Sequence, residues 1–136
     1  MEFTVRFMGH RNITAKHRTT LEITKDEEIT RKADCIIGVR ADKSASDIPD
    51  WLKSHLLSGG CVEIELVIGS FFINIHGFGS PNLTLRSKKE IVIRKSSYID
   101  DRTVAIMADK AAIDLPREAV DLLRKNNFYE ARIVPV

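Results

Sequence analysis

Along MEFTVRFMG, apolar residues fall at Phe3, Val5 and Phe7 with polar ones between them, and this two-residue period predicts a strand over 3–8. A second alternating stretch, about 12–24, puts Ile13, Ala15, Leu21 and Ile23 on one face and predicts a long second strand. CIIGVR is a short, nearly continuous apolar run that suits a buried third strand. A helix is expected from Pro49 through DWLKSHLL, and CVEIELVI reads as a fourth strand. The same succession then recurs: strands over 71–76, 83–94 and 103–107, a helix from 116, and a strand over 128–134. The pattern therefore predicts eight strands and two helices.

The recurrence is also literal. ADKSASDIP at 41–49 matches ADKAAIDLP at 108–116 with an offset of 67, and GHRNITAKHRTTLEITK at 9–25 overlies GSPNLTLRSKKEIVIRK at 79–95 with an offset of 70. A three-residue difference in the loop after Lys25 reconciles the offsets, since loops tolerate such changes. Ordered matches along both halves, about 3–68 and 73–135, argue for an internal duplication. No Gly-, Ser- or Pro-rich linker divides them, and each half alone is short for a core. The expectation is one domain over 1–136, mainly β (β-rich α+β), forming a sandwich or a closed barrel with two helices.

Composition narrows this little. A net charge of +2 is too mild to indicate nucleic acid by itself. Cys35 and Cys61 open apolar runs without CxxC or zinc-ligand spacing, so they read as reduced, buried residues of a cytoplasmic protein. LVIGSFFINIHGFG is too short and glycine-rich to cross a bilayer, and no membrane association is expected. HGFGS lacks the setting of a dinucleotide fingerprint and reads as a hairpin turn.

Candidate chemistry begins with the repeated turn. Asp47 and Asp114 precede a proline at a helix start, the position of an N-cap. The pairs Asp42–Lys43 and Asp109–Lys110 allow two readings: they tie the crossover turn to a neighbouring strand, or a two-fold axis gathers them into one composite site. Differences between the halves are a second source. His10 is aligned with Ser80, His17 with Ser87, Thr19 with Lys89 and Glu22 with Val92. His17 and Thr19 share parity with the apolar positions of their strand, so they are expected to face inward and to need partners. They are either satisfied core residues or the lining of a pocket that includes Thr20, Asn12 and His10, with His17 and His10 as acid–base groups. No metal set and no cofactor motif is found. Arg18, Arg86, Lys88 and Lys89 form a basic strand face, either solvated or a phosphate-backbone contact.

GHRNITAKHRTTLEITKD, DCIIGV, ADK and IVIRKSS, in this order, resemble an archaeal family known as domain of unknown function 371. The resemblance implies an archaeal cytosolic protein with a jelly-roll-like β fold, and it brings no activity or catalytic residues. The residues themselves leave three functions open. The first is binding, with or without turnover, of a small polar or phosphorylated metabolite near His10, His17, Thr19 and the Asp–Lys turns, with Lys43 or Lys110 as the anion partner. The second is an RNA- or DNA-binding module on the basic strands, and the third a protein-interaction module without ligand.

Overall fold

The computed structural model describes residues 1–136, with eight strands and two helices in the expected order. Strands β1 (Phe3–Met8), β2 (Thr20–Thr24) and β3 (Ile36–Gly38) lead through a 3-10 turn at Ala45–Asp47 to helix α1 (Asp50–Leu57) and strand β4 (Cys61–Ile68). Strands β5 (Phe71–Phe78), β6 (Glu90–Arg94) and β7 (Thr103–Ala105), a 3-10 turn at Ala112–Asp114, helix α2 (Arg117–Leu123) and strand β8 (Phe128–Pro135) repeat that order. The loop between β2 and β3, residues 25–35, is three residues longer than its counterpart, residues 95–102, which accounts for both offsets.

The strands form two four-stranded sheets, β1-β8-β4-β5 and β3-β2-β6-β7. Both sheets are open, so the barrel expectation is corrected and the sandwich-like arrangement stands. Within the second sheet β2 pairs with β3, and β6 with β7, in parallel. Those parallel pairs depart from the antiparallel pattern of a jelly roll. The expected alternation decides the inner faces of the first sheet. Phe3, Val5 and Phe7 of β1, Val62, Ile64 and Leu66 of β4, and Tyr129, Ala131 and Ile133 of β8 all point inward. They meet Leu21, Ile23, Ile91 and Ile93 of the second sheet in one cluster of 37 buried apolar residues.

The halves interlock. In the first sheet β1 pairs only with β8, and β5 only with β4, so the outer strand of each half is held by the other half. The loops after β1 and β5 do the same. His10 N–H donates to the Leu123 carbonyl at 2.9 Å, and Gly79 N–H to the Gly60 carbonyl at 2.9 Å. Gly9 lies against the carbonyl oxygens of Leu123 and Lys125, and Gly79 against that of Leu56, leaving no room for a Cβ at either position.

Several expectations are corrected. Residues 12–19 and 83–89 are not strands: Ala15 and Leu85 take left-handed backbone angles (φ 49° and 52°), which break any extended ladder. The alternation there is real as burial, since Ile13, Ala15, Leu83 and Leu85 are buried, but it belongs to a loop plugging the core. Asp47 and Asp114 do not cap the helices, whose first turns start directly after Pro49 and Pro116. Each instead accepts the backbone N–H three residues earlier, from Ser44 and Ala111, at 2.8 Å. Lys25 and Lys95 reach the same carboxylates at 3.6 and 2.7 Å. Cys61 is exposed and Cys35 half-buried, both as free thiols. HGFGS is no hairpin turn, because His76–Phe78 complete β5; the hairpin lies at Gly69–Ser70. No helix is long and apolar enough to cross a membrane.

Candidate functional site

The repeated Asp–Lys pairs stand at the two edges of the first sheet, where backbone groups have no strand partner. Asp42 Oδ1 accepts the Arg6 N–H at 2.9 Å, Asp42 N–H donates to the Arg6 carbonyl at 3.0 Å, and Lys43 Nζ donates to the Thr4 carbonyl at 2.5 Å. Asp109 and Lys110 repeat this on β5. Asp109 Oδ1 accepts the His76 N–H at 3.0 Å, and Lys110 Nζ donates to the Asn74 carbonyl at 2.6 Å. Since β1 and β5 are opposite edges of a four-stranded sheet, the two pairs are not brought together.

The two histidines have matching geometry and separate locations. Nδ1 of His10 accepts the Asn12 N–H at 3.0 Å, and Ser80 Oγ accepts the Asn82 N–H at 3.1 Å. Nδ1 of His17 accepts the Thr19 and Thr20 N–H groups at 3.2 and 3.1 Å, and Ser87 Oγ accepts those of Lys89 and Glu90 at 3.3 and 3.1 Å. Both histidines therefore carry out turn-holding work that serine does in the other half. An accepting Nδ1 leaves the neutral ring's proton on Nε2. His17 is half-buried and Thr19 exposed, not inward on a strand, while Thr20 is buried. Asn12 donates through Nδ2 to the Ile29 carbonyl at 2.9 Å and anchors the long 25–35 loop.

His10, unlike His17, lines a cavity. Its Nε2 lies 3.2 Å from Glu28 Oε2, and Gly9, Arg11, Glu27, Arg40 and Arg124 are among the other residues lining a space of about 330 Å³. A second space of about 260 Å³ is lined by Ile13, Thr14, Lys16, Arg31, Arg117 and Arg124, with Asp121 its only carboxylate. Arg124 is common to both. Arg117 is positioned by backbone carbonyls, donating to those of Thr14 at 3.3 Å and Ala15 at 3.0 Å. Arg124 Nε donates to the Arg11 carbonyl at 3.3 Å. Arg11, Lys16, Arg31, Arg117 and Arg124 have no carboxylate within ion-pair distance. Thr14 Oγ1 is the one buried side-chain oxygen or nitrogen without a hydrogen-bond partner, whereas its counterpart Thr84 donates to Asp101 at 2.8 Å.

Sequence reasoning missed most of this lining, because Arg117 and Arg124 belong to the second half yet serve a first-half loop. It also missed a buried ionic network on the outer face of the second sheet. Arg102 bridges Glu22 at 3.1 Å, Asp100 at 2.8 Å and Glu90 at 3.6 Å, while Arg94 donates to Asp100 and Thr103 at 2.9 Å. Burial and the neighbouring Glu90 carboxylate push the Glu22 carboxyl up to about 8, against the opposing pull of Arg102. The guanidinium of Arg102 and the Thr103 hydroxyl hold Asp100 down at about 2 despite its partial burial. Burial, with Glu22 beside it, raises the Cys35 thiol to about 11, which makes it a poor nucleophile. No cavity is lined by this network, so it reads as a closed structural lock. The mismatch of Glu22 with Val92 was its signal in the sequence.

The expected basic strand face is corrected: Arg18, Arg86, Lys88 and Lys89 lie on the loops before β2 and β6, all are exposed, and Lys89 pairs with Asp26 at 3.2 Å.

Residues 5–135 match the family model described as Domain of unknown function (DUF371). An uncharacterized protein of the archaeon Methanocaldococcus jannaschii, MJ0206, is 41% identical over 134 residues, covering 98% of this chain and 99% of that protein. The chain belongs to the DUF371 family.

Proposed function

We propose that the cleft between the 10–16 loop, the 25–35 loop and α2 binds a small anionic metabolite, with phosphate as the anionic group. The carrying observation is the second cavity, where Lys16, Arg31, Arg117 and Arg124 face a single carboxylate, Asp121, and none of them is ion-paired. Uncompensated positive charge in a concave site favours an anion, and guanidinium groups match phosphate geometry. His10 belongs to this site as an orienting group for Glu28. His17, Lys43 and Lys110 lie outside it.

The test is a thermal-shift titration with inorganic phosphate and pyrophosphate on wild type, Lys16→Ala and Arg31→Ala. Neither side chain makes a hydrogen bond within the protein, so both variants are expected to fold normally. A ligand at one hundred times its dissociation constant should stabilise the wild type by about 2.7 kcal/mol, with the gain lost in both variants. Equal stabilisation of all three proteins would overturn the proposal. Steeply salt-dependent binding of single-stranded RNA, abolished by Arg86→Ala and Lys88→Ala, would favour the nucleic-acid reading instead.

The same observations support an origin by duplication, followed by separate use of the copies. The three extra residues of the 25–35 loop fall in the segment carrying Glu27, Glu28 and Arg31, so the longer loop is the one that builds the cleft. The interlocked halves also support a single domain over the whole chain.

A further inference from the structure

The two cavities differ in charge although they share Arg124. The second presents four cations with one carboxylate, Asp121, in its lining; the first sets Glu27 and Glu28 of the longer loop among Arg11, Arg40 and Arg124. Both acids are held in place, Glu27 by Arg40 at 3.1 Å and Glu28 by His10 at 3.2 Å. Each of those partners occupies only part of a carboxylate's accepting capacity, which amounts to about four lone-pair sites. A pair of oriented carboxylates accepts from neighbouring hydroxyl groups. Size points the same way. Either cavity alone, at about 330 and 260 Å³, lies near the lower end of ligand sites, which run from about 300 to 1,000 Å³. A ligand that uses both must be longer than a bare anion.

Resting on the anion-binding reading, we infer that the ligand is a sugar phosphate, free or as part of a nucleoside monophosphate. Its phosphate sits among Lys16, Arg31, Arg117 and Arg124, and its sugar hydroxyls reach past Arg124 to Glu27 and Glu28. The second cavity sets affinity for the phosphate, and the carboxylates of the first select the hydroxylated end.

Calorimetric titration separates this from the reading beneath it. The probes are inorganic phosphate, ribose 5-phosphate and adenosine monophosphate; the proteins are wild type, Arg31→Ala and the double variant Glu27→Gln/Glu28→Gln. The wild type is expected to bind ribose 5-phosphate at least tenfold more tightly than phosphate. Arg31→Ala should weaken phosphate and sugar phosphate by the same factor. The double variant should bring ribose 5-phosphate down to the affinity of phosphate and leave phosphate itself unchanged or tighter. Phosphate binding lost in Arg31→Ala, with sugar phosphate unaffected in the double variant, would overturn the sugar end while leaving the anion site standing. No phosphate binding by wild type would overturn both. The tighter of ribose 5-phosphate and adenosine monophosphate identifies the source of the sugar. All substituted residues are exposed, and unchanged melting temperatures confirm that the variants fold.

Discussion

At the scale of single residues, the histidines show how chemical difference can hide positional equivalence. His17 and Ser87 hold the same turn through different atoms, as do His10 and Ser80. From the sequence, a histidine facing a serine looks like a gain of chemistry; the shared requirement for a hydrogen-bond acceptor two or three residues ahead was invisible there. His17→Ser is therefore expected to keep stability within about 0.5 kcal/mol, while His17→Ala leaves backbone donors unpaired and costs about 1–2 kcal/mol. Urea denaturation checks both, and equal losses would contradict the turn-holding role. Glu22 makes a second prediction. Its folded value near 8 lies above its ordinary 4.5, so the folded state binds the extra proton. Stability from this group is full below about pH 4.5 and is lost as pH rises through 8. Asp100 acts in the opposite sense, its contribution disappearing only as pH falls toward 2. Glu22→Gln should flatten the decline between pH 5 and 8, as followed by melting temperature across that range.

At the scale of elements, the Asp–Lys turn explains why the chain repeats nine residues so closely. Each pair occupies the donors and acceptors of an edge strand, which otherwise offers a template for another chain. Replacing Asp42 and Asp109 together by alanine should cost about 1 kcal/mol per site. It should also raise concentration-dependent association, which light scattering would detect. Loss of stability without association would mean that the clips hold the turn but do not guard the edge. This role was legible in ADKxAxD[IL]P as one of two readings, because a repeated short motif beside a strand suits backbone binding. The strand boundaries were less legible. Ile13 and Ala15 keep a strand's alternation inside a loop, since the left-handed angle at Ala15 turns the chain while both side chains stay in the core.

At the scale of the whole molecule, matching offsets revealed the repeated order, and even the site of the three-residue difference. They could not reveal that each half lends its helix and outer strand to the other. The cleft depends on that exchange: Arg117 and Arg124 had Asp50 and Leu57 as their aligned counterparts, and nothing local tied them to the 10–16 loop. The exchange also bears on connectivity. β4 runs into β5 through Gly69–Ser70, with Ile68 opposite Phe71, and β8 lies beside β1 in the same antiparallel sense, with Ile133 opposite Phe3. The elements thus form a ring cut at one point, and the cut has a natural equivalent half-way round. A circular permutant that joins β8 to β1 by a short glycine linker and opens between Gly69 and Ser70 should unfold in one cooperative step. Its melting temperature should lie within a few degrees of the parent's. A split transition in calorimetry would show instead that the order in which the chain enters the fold matters as much as the contacts it ends with.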